Sequence, residues 1–171
     1  MLNLSKLDTY TFNHVTRCCK LSEIIEKQFR LNDNTLSTAA LYHDIGKYYI
    51  PSGILLKCDN LTELERTIVD LHSFYTYVLL KEEGFDERLC SICLMHHYEN
   101  PPILYPIDFI VDDYTLTYAR YLRTIDMYEA LTADRPYKRH MSKNSVYAIM
   151  SKNPNIDIRV LNVLIQNDDE S

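Results

Sequence analysis

The chain has 171 residues, with 18 Lys and Arg against 24 Asp and Glu, which gives a formal net charge of −6. This negative balance argues against binding to nucleic-acid polymers, because sequence-independent binding relies on basic patches. No apolar run reaches the length of about 18 residues that a membrane span needs, and the N-terminus lacks the apolar core of a signal peptide. We therefore expect one domain over residues 1–171, with no membrane association.

The five cysteines predict a reducing, cytoplasmic environment. Their number is odd and no paired spacing recurs, so a disulfide framework is not expected. Cys90 and Cys93 form a CxxC pattern, but without a second pair this is a weak zinc signal. We interpret both as small buried residues on one helix face.

Three Gly, no Trp and long periodic stretches of Leu, Ile and Tyr predict an all-α fold, a single-domain helical bundle. The first helix is expected from Lys6 to Arg30, with one inward stripe that has His14 at its middle. That stripe consists of Leu7, Tyr10, His14, Cys18, Leu21, Ile25 and Phe29.

The second predicted helix, capped by Asn34 or Thr35, leads into the segment YHDIGK at residues 42–47. Its inward face follows the i, i+3, i+4, i+7 rule in Leu36, Ala39, Ala40 and His43. Gly46 is predicted as the C-cap of this helix. Residues 48–61 are predicted as a loop with little regular structure.

A capping box at Thr62 to Glu65 predicts the start of a third helix. This helix is expected to run to about residue 83, either continuously or with one break. His72 lies on the inward face of this helix. Gly84 ends it.

Asp86 can cap the next helix, whose buried face carries His96 with His97 beside it. Residues 100–113 then form a second loop, with three prolines and several apolar side chains. Such a composition predicts a loop that packs against the core.

A helix is expected from about Tyr114 to Ala133, with the carboxylate of Asp126 on an otherwise apolar stripe. Short helices are expected at residues 142–152 and 157–166. No repeat or linker interrupts the chain.

Five of the six histidines and two carboxylates thus fall on or beside inward helix faces. Each histidine taken singly is more often a hydrogen-bonded core residue. Burying so many imidazoles together, however, costs several kcal/mol in desolvation and unmet hydrogen bonds unless they bind a common partner such as a metal ion. Neutral imidazole and carboxylate are metal ligands, and helical bundles build metal sites from several helices. The predicted ligands are His14, His43, Asp44, His72, His96, His97 and Asp126.

In this order and on helices, these residues resemble the HD-domain metal-dependent phosphohydrolases. The segment HDIGKYYIPSGIL is similar to the HDIGK-x-x-IP signature of the HD-GYP subgroup, and IDMYEALTADRPYK is similar to its D-x-x-x-ALTSDRPYR block. The members of that subgroup are cyclic di-GMP phosphodiesterases. The motif-bearing core covers about residues 10–142.

The resemblance implies an HD-type helical fold and two divalent transition-metal ions that are bridged by Asp44. It implies that His14, His43, Asp44 and Asp126 hold one ion, and that Asp44, His72, His96 and His97 hold the other. The nitrogen and oxygen ligands suit iron or manganese, with zinc and nickel as alternatives. Two such ions suit phosphodiester hydrolysis, because they make a bridging hydroxide available and neutralise phosphate charge.

Asp44 and Lys47 are the predicted catalytic residues. Lys47, three residues beyond Asp44, can bind a non-bridging phosphate oxygen; a solvated lysine is the alternative. Arg17, Arg135 and Lys138 are further candidates for phosphate contacts, although Arg135 also suits a structural ion pair.

The chain departs from the subgroup in the loop that corresponds to HHE-x-x-DG-x-GYP. Tyr98 replaces the Glu, Pro101 and Pro102 replace the Asp-Gly pair, and Leu104 replaces the Gly of GYP. Tyr10 stands where some relatives have a carboxylate for a third ion. The altered loop lies beside the substrate in the subgroup. The tyrosine at position 10 favours two ions over three.

Three functions remain open. The first is a cyclic-dinucleotide phosphodiesterase, and the second is an HD phosphohydrolase that acts on another nucleotide or phosphate ester. The third is a catalytically weak nucleotide-binding signalling protein. Because no sensor or receiver domain is recognisable, we expect the input signal to come from a separate signalling partner. A homodimer is the other assembly considered.

Overall fold

The computed structural model describes residues 2–97, 109–133 and 140–167. Regular structure within these ranges is entirely helical, as the sequence predicts. Two 3-10 helices cover Leu4–Lys6 and Ile45–Tyr49. The α-helices are α1 (Thr9–Phe29), α2 (Thr35–Tyr42), α3 (Ser52–Leu55), α4 (Glu63–Asp70), α5 (His72–Glu82), α6 (Glu87–Met95), α7 (Asp113–Thr132), α8 (Lys143–Met150) and α9 (Ile158–Asn167). No described helix combines the length and the apolar composition that a bilayer span requires.

Helix starts follow local capping chemistry, because a side-chain oxygen can satisfy an orphan backbone N–H of the first turn. The predicted capping box is confirmed: Thr62 accepts from the backbone of Glu65, and Glu65 accepts from that of Thr62. The predicted cap Asp86 is also confirmed. At α2, Asn34 occupies the cap position without a side-chain bond, and Asp33 accepts from the Thr35 N–H instead.

The predicted role of Gly46 as a helix C-cap is wrong. Helix α2 ends at Tyr42 with His43 as its C-cap, and Gly46 lies inside the following 3-10 helix. Its N–H donates to Thr76 Oγ1 on α5 at 2.9 Å. A Cβ at this position would lie 2.1 Å from the His72 carbonyl oxygen, so Gly46 is needed for the close approach of α5.

The prediction of an irregular loop over residues 48–61 also needs correction. The 3-10 helix extends to Tyr49, and residues Ser52–Leu55 form the short helix α3. Pro51 precedes α3 as its N-cap, a position where the missing N–H of proline costs nothing.

The helix predicted from Thr62 is broken at Leu71, between α4 and α5. None of the described α4 residues is buried, whereas α5 buries five, including His72 and Thr76. The break allows α5 to lie against the 3-10 helix at residues 45–49 and against α6. His72 is thereby placed at the first position of α5.

The core lies where α1, α2, α6, α7 and α9 meet. Its fully buried side chains include Ile25, Leu36, Ile92, Leu122 and Leu161. The apolar stripe predicted for α1 is buried or half-buried throughout its length. This packing provides a rigid, dry frame around the polar residues described next.

Candidate metal centre

Five helices bring the seven predicted ligands together. His14 comes from α1, Asp126 from α7 and His72 from the start of α5, while the other four directly follow α2 or α6. His43 and His96 are fully buried, and Asp44 is 1% exposed. The ring centroids of His43 and His96 are 4.9 Å apart, and those of His14 and His43 are 5.3 Å apart.

Three of the histidines make the same local hydrogen bond. His43 Nδ1–H donates to the Ala40 carbonyl at 2.8 Å, and the same bond joins His72 to Val69 and His96 to Cys93, both at 2.6 Å. The acceptor is always the carbonyl three residues earlier, at or near a helix end. This bond fixes the proton on Nδ1, so that the Nε2 lone pair is free to coordinate a metal ion.

The two carboxylate oxygens of Asp44 face different histidines. Oδ2 lies 3.7 Å from Nε2 of both His14 and His43. Oδ1 lies 3.3 Å from His72 Nε2. A carboxylate with its oxygens divided in this way has the arrangement of a bridging ligand.

Asp126 completes the half of the centre on the His14 side. Its Oδ1 lies 3.1 Å from His14 Nε2 and 4.0 Å from His43 Nε2. Donor atoms of these three residues lie within 4.8 Å of one another, as do those of His72, His96 and His97.

The unpaired polar atoms of the centre suit bound cations. In the described part of the chain, His43 Nε2 and Asp44 Oδ1 are buried without any hydrogen bond. His72 and His96 bring two Nε2 atoms to 3.4 Å, although both rings carry their proton on Nδ1. Lone pairs held this close are unfavourable unless positive charge lies between them. The residues present are therefore able to hold divalent metal ions.

Burial keeps the imidazoles in the neutral form that metals bind. It lowers the pKa of His43 and, more strongly, that of His96, where His97, His43 and His72 add to the effect. Burial also lowers the pKa of His72 to about 4. Burial alone would raise the pKa of Asp44, but Lys47 and the surrounding histidines outweigh it and keep the pKa well below its ordinary value.

His14 differs because carboxylates surround it. Burial opposes its protonation, yet its hydrogen bonds to Asp126, Cys18 and Glu129 raise its pKa above the ordinary value. Those same carboxylates favour any positive charge at this end of the centre, whether a proton or a metal ion carries it.

His97 is oriented unlike the other four histidines. Arg123 Nη1 donates to His97 Nδ1 at 2.9 Å, which places the proton of the neutral ring on Nε2. Burial lowers the pKa of His97 to about 3. His97 can therefore act as a ligand through Nδ1 only if it gives up the bond from Arg123.

A protein-family model for the HD domain matches residues 11–131, a span that contains all seven residues. The chain belongs to the HD domain family. The predicted resemblance and the all-helical fold class are confirmed.

Curated relatives of this HD domain are phosphodiesterases by name. One is the 3'3'-cGAMP-specific phosphodiesterase 3 of Vibrio cholerae, 33% identical over 84% of this chain and 32% of its own length. A cyclic di-GMP phosphodiesterase of Pseudomonas aeruginosa is 32% identical over 81% of this chain and 34% of its own length. A cyclic di-GMP phosphodiesterase response regulator of Xanthomonas campestris is 29% identical over 84% of this chain and 39% of its own length. The HD domain chain thus spans about a third of the length of the relatives it matches.

Lys47 reaches the HD domain centre directly. Its Nζ donates to Asp44 Oδ2 at 2.5 Å, and 24% of its side chain remains exposed. The ammonium group is therefore held against the buried carboxylate of Asp44, while part of the Lys47 side chain reaches the surface.

Arg17 lies nearby but is bound to a carboxylate. Its Nε donates to Glu129, while 43% of the side chain is exposed. The two other predicted phosphate contacts, Arg135 and Lys138, lie outside the described residues, as does the altered loop at residues 98–104.

Glu129 is a residue of the centre that the sequence reasoning missed. It is 2% exposed, and its carboxylate accepts hydrogen bonds from His14 Nδ1 and from Arg17. The available signal was its position three residues after Asp126, which places both carboxylates on the same side of α7. Glu129 orients the His14 ring in the HD domain as the backbone carbonyls orient the other three.

Proposed function

We propose that the chain is a metal-dependent phosphodiesterase that hydrolyses a cyclic dinucleotide, with cyclic di-GMP as the first candidate. The observation that carries the proposal is the buried Asp44 carboxylate, whose two oxygens face histidines on opposite sides. The names of the relatives point to the same class of substrate.

The proposed centre holds two divalent transition-metal ions, iron or manganese. One ion is assigned to His14, His43, Asp44 and Asp126, and the other to Asp44, His72, His96 and His97. Zinc and nickel are the alternatives that the nitrogen and oxygen donors accept. When bound, such ions supply Lewis acidity, which activates water near neutral pH and neutralises charge on a phosphodiester.

In this proposal, residues of the chain position the substrate and orient the metal-binding imidazoles. The Lys47 ammonium has N–H donors beyond the one that Asp44 accepts, and it donates one of them to a non-bridging phosphate oxygen, where its charge offsets the charge that develops. Asp44 keeps that ammonium in place through their ion pair. Glu129 and the carbonyls of Ala40, Val69 and Cys93 hold the imidazoles in register, so little reorganisation is needed when the substrate arrives.

The test is hydrolysis by the metal-loaded protein. Cyclic di-GMP, 3'3'-cGAMP and a chromogenic phosphodiester are incubated with the wild-type chain and with Asp44→Ala, and the products are resolved. We expect linear dinucleotide from at least one cyclic dinucleotide, and none with Asp44→Ala.

An HD phosphohydrolase for another phosphate ester is the second candidate. Pro101 and Pro102 each lack a backbone donor, and Leu104 adds a branched side chain where the subgroup has Gly. Hydrolysis of the chromogenic ester alone would favour this candidate. If protein shown to contain both ions hydrolyses none of the esters, a nucleotide-binding signalling protein is favoured.

A cytoplasmic location is part of the same proposal. It is supported by the five cysteines, which are all free thiols. Disulfides are rare in reducing compartments such as the cytoplasm, so free thiols at all five positions agree with this location.

A further inference from the structure

A cleft of about 390 Å³ opens beside the metal centre, between the 3-10 helix at residues 4–6, the 3-10 helix at residues 45–49 and α3. It is lined by Lys6, Leu7, Asp8, Lys47, Tyr48, Ile50, Ser52 and Leu55. Lys47 belongs to both places, since it lines the cleft and also contacts Asp44. A molecule that touches the centre through Lys47 can therefore extend into the cleft.

Tyr48 forms an aromatic wall of this cleft. The Lys6 ammonium lies over its ring, 5.2 Å from the centroid, and the Tyr49 ring meets it edge-on at 5.3 Å. Even so, 49% of the Tyr48 surface is exposed. An exposed phenol ring held in place by a cation is a stacking surface for a planar group.

The remaining lining suits a ligand that is both apolar and anionic. Leu7 and Ile50 are buried, 8% and 5% exposed, and give the cleft an apolar floor. Among the described residues of this lining, Asp8 carries the one negative charge, and both of its carboxylate oxygens accept hydrogen bonds from Thr11 at the start of α1. Lys6 and Lys47 supply positive charge, and the volume lies within the range of small-molecule sites.

We propose that this cleft is the nucleobase subsite of the HD domain, in which a base of the nucleotide substrate stacks on Tyr48. This inference rests on the proposed function. While one phosphodiester lies at Asp44 and Lys47, the adjoining base enters the cleft and covers the exposed part of the Tyr48 ring. Tyr48 is therefore a specificity-determining residue, which separates nucleotides from phosphate esters that lack a base.

The experiment compares two ligands that share a sugar phosphate and differ only in the base. GMP and ribose 5-phosphate are titrated calorimetrically into the metal-loaded wild-type chain, Tyr48→Ala, Tyr48→Phe and Tyr147→Ala. Tyr147 is a matched control, since it is 41% exposed on α8 and does not line the cleft. The same four proteins are assayed for the KM of cyclic di-GMP.

We expect wild-type, Tyr48→Phe and Tyr147→Ala to prefer GMP over ribose 5-phosphate by about tenfold, and Tyr48→Ala to lose that preference, since base stacking has this magnitude. The KM for cyclic di-GMP should rise by a similar factor in Tyr48→Ala. Equal weakening of both ligands in Tyr48→Ala, or an unchanged preference for GMP, overturns the subsite.

The two proposals can fail separately. If no cyclic dinucleotide is hydrolysed while Tyr48→Ala still loses its preference for GMP, the subsite is supported and the proposed activity is refuted. If cyclic di-GMP is hydrolysed with the same KM by wild-type and Tyr48→Ala, the activity is supported and the subsite is refuted.

Discussion

The Nδ1–H of His14 is bound by the carboxylate of Glu129, a residue 115 positions further along the chain. Glu129 also accepts from Arg17, so one buried carboxylate joins a proposed metal ligand to a half-exposed cation on the same face of α1. In the three other oriented histidines a backbone carbonyl has this task. Among the four described histidines that donate through Nδ1–H, His14 is thus the one whose orientation depends on a replaceable side chain.

Glu129→Gln should lower metal affinity or activity by about 10-fold to 100-fold, the range typical of residues that orient a ligand. The amide loses the charge that favours a cation beside His14 and matches the Nδ1–H less well. Metal affinity is measured by competition with a chelator. Glu26→Gln is the control, because Glu26 is also a buried carboxylate but accepts from the Ser37 N–H instead of from a proposed ligand. Equal metal affinities in the two variants would refute the orienting role.

Asp44→Ala should release most of the metal and lower the Tm, because the variant loses the proposed bridging carboxylate and metal binding contributes to folding. The wild-type chain is expected to contain two ions. Elemental analysis and thermal unfolding of both proteins check this, with Asp59→Ala as an exposed control. Unchanged metal content in Asp44→Ala would contradict the assignment of Asp44 as a metal ligand.

Lys47→Ala should raise KM or lower kcat by about tenfold or more while the metal content is retained, since it removes the proposed donor to phosphate. Lys57→Ala is a matched control. Lys57 has a similar exposed fraction, 27% against 24%, and is also paired with a carboxylate, that of Glu65 at 2.6 Å. Wild-type kinetics in Lys47→Ala would limit Lys47 to a structural role as the ion-pair partner of Asp44, while the solvated lysine considered from the sequence is already excluded by that ion pair.

Gly46→Ala should destabilise the fold by about 1–3 kcal/mol, because an added methyl group overlaps the backbone of α5 at His72 and Thr76. The same shift should displace His72 from Asp44 and weaken metal binding. Gly53→Ala meets no atom within 4 Å and should be close to neutral. Urea unfolding of the three proteins measures the difference, and equal stabilities would contradict the packing argument.

Asp157 should make the stability of the α9 end depend on pH. Burial alone would raise its pKa, but hydrogen bonds from the Arg159 side chain and from the Val160 and Arg159 N–H groups outweigh burial and lower it. A folded pKa below the unfolded value of about 3.9 means that this stabilisation is present above about pH 4 and is lost as the pH falls through the folded pKa. The stability difference between wild-type and Asp157→Asn should therefore shrink on acidification, as unfolding curves at several pH values would reveal. A constant difference would exclude this role.

Local sequence patterns were enough to locate the long helices and their inward-facing histidines, but not the short helix α3 or the end of α2. The capping box at Thr62 and the cap Asp86 were predictable because capping is a contact between residues two or three positions apart. The inward positions of His14, His43 and His72 followed from helical periodicity, which is equally local. The same reasoning gave the seven candidate ligands, and the family resemblance then divided them between two ions.

The tertiary structure alone decided the contacts that join distant segments. Glu129 reaches His14 only because α1 and α7 pack together, and Gly46 matters only because α5 approaches it. The cleft at Tyr48 likewise exists only where the N-terminal 3-10 helix meets the segment that follows Asp44. Periodicity shows which face of a helix is buried, but the partner of that face depends on how all the helices pack at once.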